Sequence, residues 1–163
     1  MIDSSQLLSV AAQLAEAPAR GAPQQARLRR SISTAYYALF HRLVAGAADL
    51  LVGANARGTQ RYLVVYRSFE HKRMADACRQ TLTGSLRTEA GTLFDPTIQG
   101  CASAFVELQE NRHEADYDPT LRIALSDAKT AVAKAQAAIT MLNNSPEPER
   151  LLFLTFLQFR KRS

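Results

Sequence analysis

"QQARLRRSISTAYYALFHRLVAGAADLLV", residues 24–52, decides the fold. Leu28, Ile32, Ala35, Tyr36, Leu39, Leu43 and Leu50 recur at the spacing of one helix face, and no proline interrupts the run. The stretch predicts one helix of about eight turns. Working outward, the same period predicts five more helices. The first runs from Ser4, read as its N-cap, to Ala17, where "APARGAP" breaks the chain. After "GANARG", a third helix is expected over 61–83 on Leu63, Tyr66, Phe69, Met74 and Ala77. "TGSLRTEAGTLFDP" reads as a loop. The fourth helix begins at Pro96, suited to a first helical position, and ends near Asp116 ahead of Pro119. An Ala-rich fifth helix is expected from Thr120 to Leu142, and a sixth, apolar one over about 147–160.

With 7 Gly, 6 Pro and no Trp, the chain has little of the punctuation that many short strands need. The expectation is an all-α protein: one domain over 1–163, an up-and-down antiparallel bundle of five to six helices. Its core is placed at about 24–142, with the apolar helix following. That helix is apolar nearly all round from Leu151 to Phe159, so it must be covered on several sides, by its own bundle, a second subunit or a partner.

Charge is unevenly distributed. From Arg20 to Arg87 there are 12 Lys/Arg against Asp49, Glu70 and Asp76, a net +9. From Glu89 to Asp127, eight acids face Arg112 and Arg122, a net −6. A basic half of this kind attracts phosphate polymers, or packs on a complementary acidic face. Cys78 and Cys101 are too few for a disulfide framework, which suits a reducing cytoplasm. "LLFLTFLQF" is about half of the roughly 20 residues a membrane span requires, and the acid in "MIDSSQ" does not suit a signal peptide. A soluble cytoplasmic protein with no membrane partner is expected.

"ENRHEADYDP", residues 110–119, is the most chemically loaded stretch. In the fourth helix the apolar stripe runs Ile98, Cys101, Phe105, Leu108, then Arg112, then Ala115. An arginine in that register must meet a carboxylate, an anionic ligand or a cleft, because an unpaired buried guanidinium costs several kcal/mol. Asp116, four residues on, is the first expected partner and a phosphate the second. On the second helix Arg30, Ser33, Tyr37 and His41 share one edge, and if that edge faces Arg112 the two form a polar pocket. "ENRH" is a Glu-x-x-His pair, but neither His41 nor His71 is preceded by a glutamate three positions earlier, so no metal site and no cofactor is expected. Neither a serine-hydrolase elbow nor a phosphate-cradling Gly loop is present.

"RRSISTAYYALFH" (29–41) together with "RHEADYD" (112–118) resembles the HEPN family, the higher eukaryotes and prokaryotes nucleotide-binding domains. The resemblance spans the second to fifth helices. It implies a helical bundle, often dimeric, acting as a metal-independent ribonuclease in toxin–antitoxin or defence systems, or as a non-catalytic companion of a nucleotidyltransferase. Catalytic members carry an Arg, a polar residue, and a His five to seven positions after the Arg. Arg112 and His113 match the first two; Tyr117, Asp118 and Pro119 stand where His is required. As free groups tyrosine and aspartate titrate near about 10 and 4, far from imidazole. The leading expectation is thus an RNA- or nucleotide-linked HEPN-like module without the intact motif, acting as a homodimer. Its binding residues are Arg30, Ser33, Tyr37, His41, Asp116 and Tyr117. The alternative is a non-catalytic interaction subunit for a nucleotidyltransferase or a toxin–antitoxin partner. A third is a ribonuclease with a variant site in which Arg112 and His113 do the chemistry.

Overall fold

The computed structural model describes residues 2–16 and 24–159, and among these every regular element is helical. The helices are α1 (Ser4–Leu14), α2 (Gln24–Val52), α3 (Gln60–Arg67), α4 (His71–Leu82), α5 (Pro96–Tyr117), α6 (Leu125–Asn144) and α7 (Glu147–Gln158), with a 3₁₀ turn at Ala54–Ala56. The expected ends of the first and last helices, Ala17 and Arg160, lie outside the described residues.

α2 is the axis of the molecule and touches α1, α3, α5, α6 and α7. Small residues permit this crowding: Ser31, Ser33, Ala35, Ala38, Ala47 and Ala48 are all buried, so neighbouring backbones approach closely. Buried Ser31 donates its hydroxyl to the Ala11 carbonyl of α1 at 2.8 Å, satisfying a polar group that burial would otherwise penalise. Cross-helix contacts give the directions. Arg29 meets Ala115 and Tyr37 meets Arg112, so α5 runs antiparallel to α2. Glu107 meets Lys134 and Gly100 lies against Met141, so α6 returns antiparallel to α5. One core joins Leu8 of α1, the α2 and α5 stripes, Met74 and Cys78 of α4, the alanines of α6, and Phe153 and Leu157 of α7. It therefore reaches beyond both ends of the expected 24–142 segment.

Three expected boundaries are corrected. The single helix over 61–83 is two helices, α3 and α4, broken at Ser68–Glu70. Ser68 turns its hydroxyl back onto the Val65 carbonyl at 2.7 Å, Glu70 is extended (φ −108°, ψ 131°), and Phe69 is buried in the bend. The period gives no sign of the break, because Leu63, Tyr66, Phe69, Met74 and Ala77 would all share one face of a continuous helix. The Ala-rich helix starts at Leu125 rather than Thr120. Gln25 explains the delay. Its side-chain amide donates to the Ile123 carbonyl at 2.9 Å and accepts from the Ile123 N–H at 3.0 Å, holding the loop open as a strand partner would. The first helix is capped by Asp3, which accepts from the Ser5 N–H at 2.8 Å, and not by Ser4.

Candidate functional site

The α2–α5 seam carries the polar residues because both helices present their apolar stripes to each other, and Arg112 interrupts one of them. Ile98, Cys101, Phe105, Leu108 and Ala115 are buried as the stripe requires. The Arg112 side chain is 21% exposed, turning from the stripe toward the seam's edge. Its Nε lies 2.8 Å from Asp116 Oδ2, a charge contact without an aligned hydrogen bond, since Nε is otherwise buried and unmatched. Nη2 donates to the Tyr37 hydroxyl at 2.9 Å. Buried Ser33 donates to the other Asp116 oxygen, so α2 and α5 are tied by a Ser33–Asp116–Arg112–Tyr37 chain. Burial opposes the Arg112 charge, yet Tyr37 and Asp116 hold the guanidinium protonated more firmly than usual.

Aromatic rings extend this seam in both directions. The Arg112 guanidinium lies 5.5 Å from the Tyr37 ring centre and 5.7 Å from that of Tyr117, which is 65% exposed. Tyr37 stacks on His41 (6.1 Å), and His41 lies parallel to Tyr66 (5.9 Å, 5° between planes). His113 stands over Tyr117 at 4.9 Å. A run of planar groups thus leads from Tyr66 on α3 to His113 on α5.

One imidazole within the run and a second beside it each meet a tyrosine hydroxyl. His41 Nδ1 is 2.8 Å from the Tyr66 hydroxyl, and His71 Nδ1 is 2.6 Å from the Tyr36 hydroxyl. Burial pushes His41 below its ordinary pKa, with His71 adding to the effect. Burial also lowers His71, and the nearby Arg112 charge lowers it further. Both are neutral hydrogen-bonding groups near neutral pH. Burial raises the Tyr36 and Tyr66 hydroxyls.

Of the residues expected to converge, Ser33, Tyr37, Asp116 and Arg112 form one connected network, with His41 and Tyr117 stacked beside it. Arg30 does not join them: its side chain is exposed, with no hydrogen bond or ion pair among the described residues. Its neighbour Arg29 turns inward instead, donating to the carbonyls of Ala115 (2.7 Å), Asp118 (2.8 Å) and Leu121 (2.5 Å). Arg29 thereby satisfies the open C-terminal end of α5 and positions the helix carrying Arg112. His113 is exposed and packs on the Tyr117 ring, with no hydrogen bond to the network among the described residues. Sequence reasoning passed over Arg29, Tyr66 and the Tyr36–His71 pair. The adjacent Arg29–Arg30 pair was ambiguous as to which points inward, and Tyr66 and His71 reach the seam only through the α3–α4 bend. Glu110 pairs with Arg79 of α4 at 3.1 Å on the exposed side of α5.

Compared with protein-family models, curated proteins and solved structures, the chain matches none.

Proposed function

We propose that the chain is a HEPN-like module that binds single-stranded RNA or a nucleotide at the α2–α5 seam without cleaving it. The observation that carries this reading is the Arg112 guanidinium held between the Tyr37 and Tyr117 rings, with Tyr117 largely exposed. Nucleobases stack on such aromatic and guanidinium faces at about 1–3 kcal/mol per base, and cations beside them meet the phosphates. Exposed Arg30 lies one turn before Ser33 on the same α2 edge, and the Arg20–Arg87 stretch carries a net +9. Catalysis is not part of the reading, because Arg112 is committed to Asp116 and Tyr37, and neither His41 nor His71 is in hydrogen-bond contact with it.

The test is fluorescence anisotropy with a labelled single-stranded oligouridylate. Binding is expected at low salt, weakening steeply as salt rises. Tyr117→Ala is expected to weaken it by roughly tenfold, the scale of one stacked base. Absence of affinity at low salt overturns the reading, and RNA cleavage lost in both Arg112→Ala and His113→Ala replaces it with the variant ribonuclease.

A second reading, an interaction subunit for a nucleotidyltransferase or a toxin–antitoxin partner, draws support from the internal pairing of the Arg112 network. It requires the seam to bind protein and not RNA. No described helix is long and apolar enough to cross a membrane.

A further inference from the structure

α4 is strongly two-sided. Met74, Ala75, Cys78 and Thr81 are buried, while Arg73, Asp76 and Gln80 follow the edge of that stripe at spacings of three and four. α7 packs on α4, with Phe153 and Leu157 in the core and Phe156 and Phe159, three residues apart, at its margin. After α4 the chain turns back on itself: the buried Leu86 donates its N–H to the Gln80 carbonyl at 3.0 Å and adds an apolar wall. These elements enclose a pocket of about 380 Å³, near the lower end of the roughly 300–1,000 Å³ usual for small-molecule sites. Arg73, Asp76, Arg79, Leu86, Phe156 and Phe159 are among its walls.

Arg73 is the uncommitted cation of this pocket. Its Nε is buried without a hydrogen-bond partner, and its guanidinium forms no ion pair among the described residues. A buried donor left unmatched is rare, because nothing offsets the loss of its water. Arg79 differs, since it meets Asp76 at 3.5 Å and Glu110 of α5 at 3.1 Å. With Arg79 and Asp76 offsetting each other, the walls present one net positive charge, carried on a planar fork. A carboxylate matches that fork with two parallel hydrogen bonds and a single negative charge. A phosphate monoester brings nearly two negative charges, and the Asp76 carboxylate opposes the second. Phe156, Phe159 and Leu86 call for an apolar body on the same molecule, and a ring suits the two phenyl faces.

We propose that the α4–α7 pocket binds a small aromatic carboxylate, its carboxyl group paired with the Arg73 guanidinium and its ring packed against Phe156 and Phe159. The ligand supplies the acceptor that Arg73 Nε lacks and leaves the Arg79–Asp76 pair intact. Its walls come from α4, the loop after α4 and the end of α7. The pocket is therefore separate from the α2–α5 seam, and the inference stands or falls independently of RNA binding.

NMR titration of the isotope-labelled full chain with phenylacetate tests this, with phenylacetamide and phenyl phosphate as neutral and dianionic comparisons. Phenylacetate is expected to shift the Arg73 Nε–H resonance with a Kd of about 0.1–1 mM, the scale for a ligand of about ten non-hydrogen atoms. Phenylacetamide and phenyl phosphate are each expected to bind roughly tenfold more weakly. Arg73→Gln is expected to weaken phenylacetate binding by roughly tenfold with unchanged helical circular dichroism. Phe159→Ala, at an exposed position, is expected to weaken it about threefold. Asp76→Asn is expected to remove most of the discrimination against phenyl phosphate. No shift with phenylacetate up to about 10 mM, ten times the weak end of the expected range, overturns the proposal. So does equal affinity for phenylacetamide, tighter binding of phenyl phosphate, or phenylacetate binding unchanged in both Arg73→Gln and Phe159→Ala. Displacement of phenylacetate by oligouridylate would make the pocket part of an RNA surface and sinks it too, whereas a chain that binds phenylacetate but no RNA upholds this site and overturns only the RNA reading.

Discussion

Arg112 Nη2 donates to the Tyr37 hydroxyl at 2.9 Å, joining α5 to α2 through a guanidinium that also contacts Asp116 of its own helix. Arg112→Ala removes both links and leaves Asp116 with Ser33 alone. The expected loss is about 1–2 kcal/mol, read from urea denaturation, because the network is partly open to solvent. Arg112→Lys restores less than half, since one ammonium does not reproduce the forked contact. A neutral Arg112→Ala would mean that the network does not hold the seam.

Tyr117 separates stability from binding. Its ring is largely exposed, so Tyr117→Ala is expected to change stability by no more than about 0.5 kcal/mol while reducing RNA affinity. A large stability loss would make the ring a packing element and remove it as a docking surface.

Arg29 and Arg30 are neighbours with opposite expectations. Arg29→Ala leaves the carbonyls of Ala115, Asp118 and Leu121 without their donor and is expected to cost about 2–4 kcal/mol. Arg30→Ala is expected to fall within about 0.5 kcal/mol of wild type and to lower RNA affinity instead. Equal effects of the two substitutions on thermal stability would remove the distinction.

Stability should depend on pH through the two half-buried imidazoles. In the unfolded chain His41 and His71 take up protons near 6.5, whereas the folded chain holds both below that value. The unfolded state then binds more protons as the pH falls through 6.5, so stability declines toward acid and is recovered on return to neutrality. Tm is expected to fall between about pH 7.5 and 5.5, and the His41→Gln, His71→Gln double variant to show a flatter profile over that window. An unchanged slope in the double variant would assign the pH dependence to other groups.

Cys78 and Cys101 are both buried, and burial raises their thiols, Cys101 to about 12. Native protein is expected to resist thiol-labelling reagents at pH 8 and to react fully in denaturant. Labelling in the native state at the rate of an exposed cysteine would place α4 and α5 apart.

The elements were legible where period and punctuation agreed. The range of α2 is as the spacing of Leu28, Ile32, Leu39 and Leu43 dictates, and Pro96 opens α5. The Arg112–Asp116 contact was legible too, because residues four apart on a helix are neighbours before any tertiary contact forms. What was not legible depended on distant partners. Gln25 delays the start of α6 from almost a hundred residues away. The choice of Arg29 over Arg30 rests on where the end of α5 comes to lie.

The sequence by itself determined an all-helical chain, the placement of Arg112 in an apolar stripe and its pairing within α5, because these depend on local periodicity and side-chain chemistry. Only the tertiary structure decided that α3 and α4 part at Phe69, that Arg29 caps the end of α5, and that Tyr37, Arg112 and Tyr117 line up. Those outcomes require groups far apart in the chain to find one another's hydrogen bonds and faces, and no local pattern encodes which of several candidates will arrive.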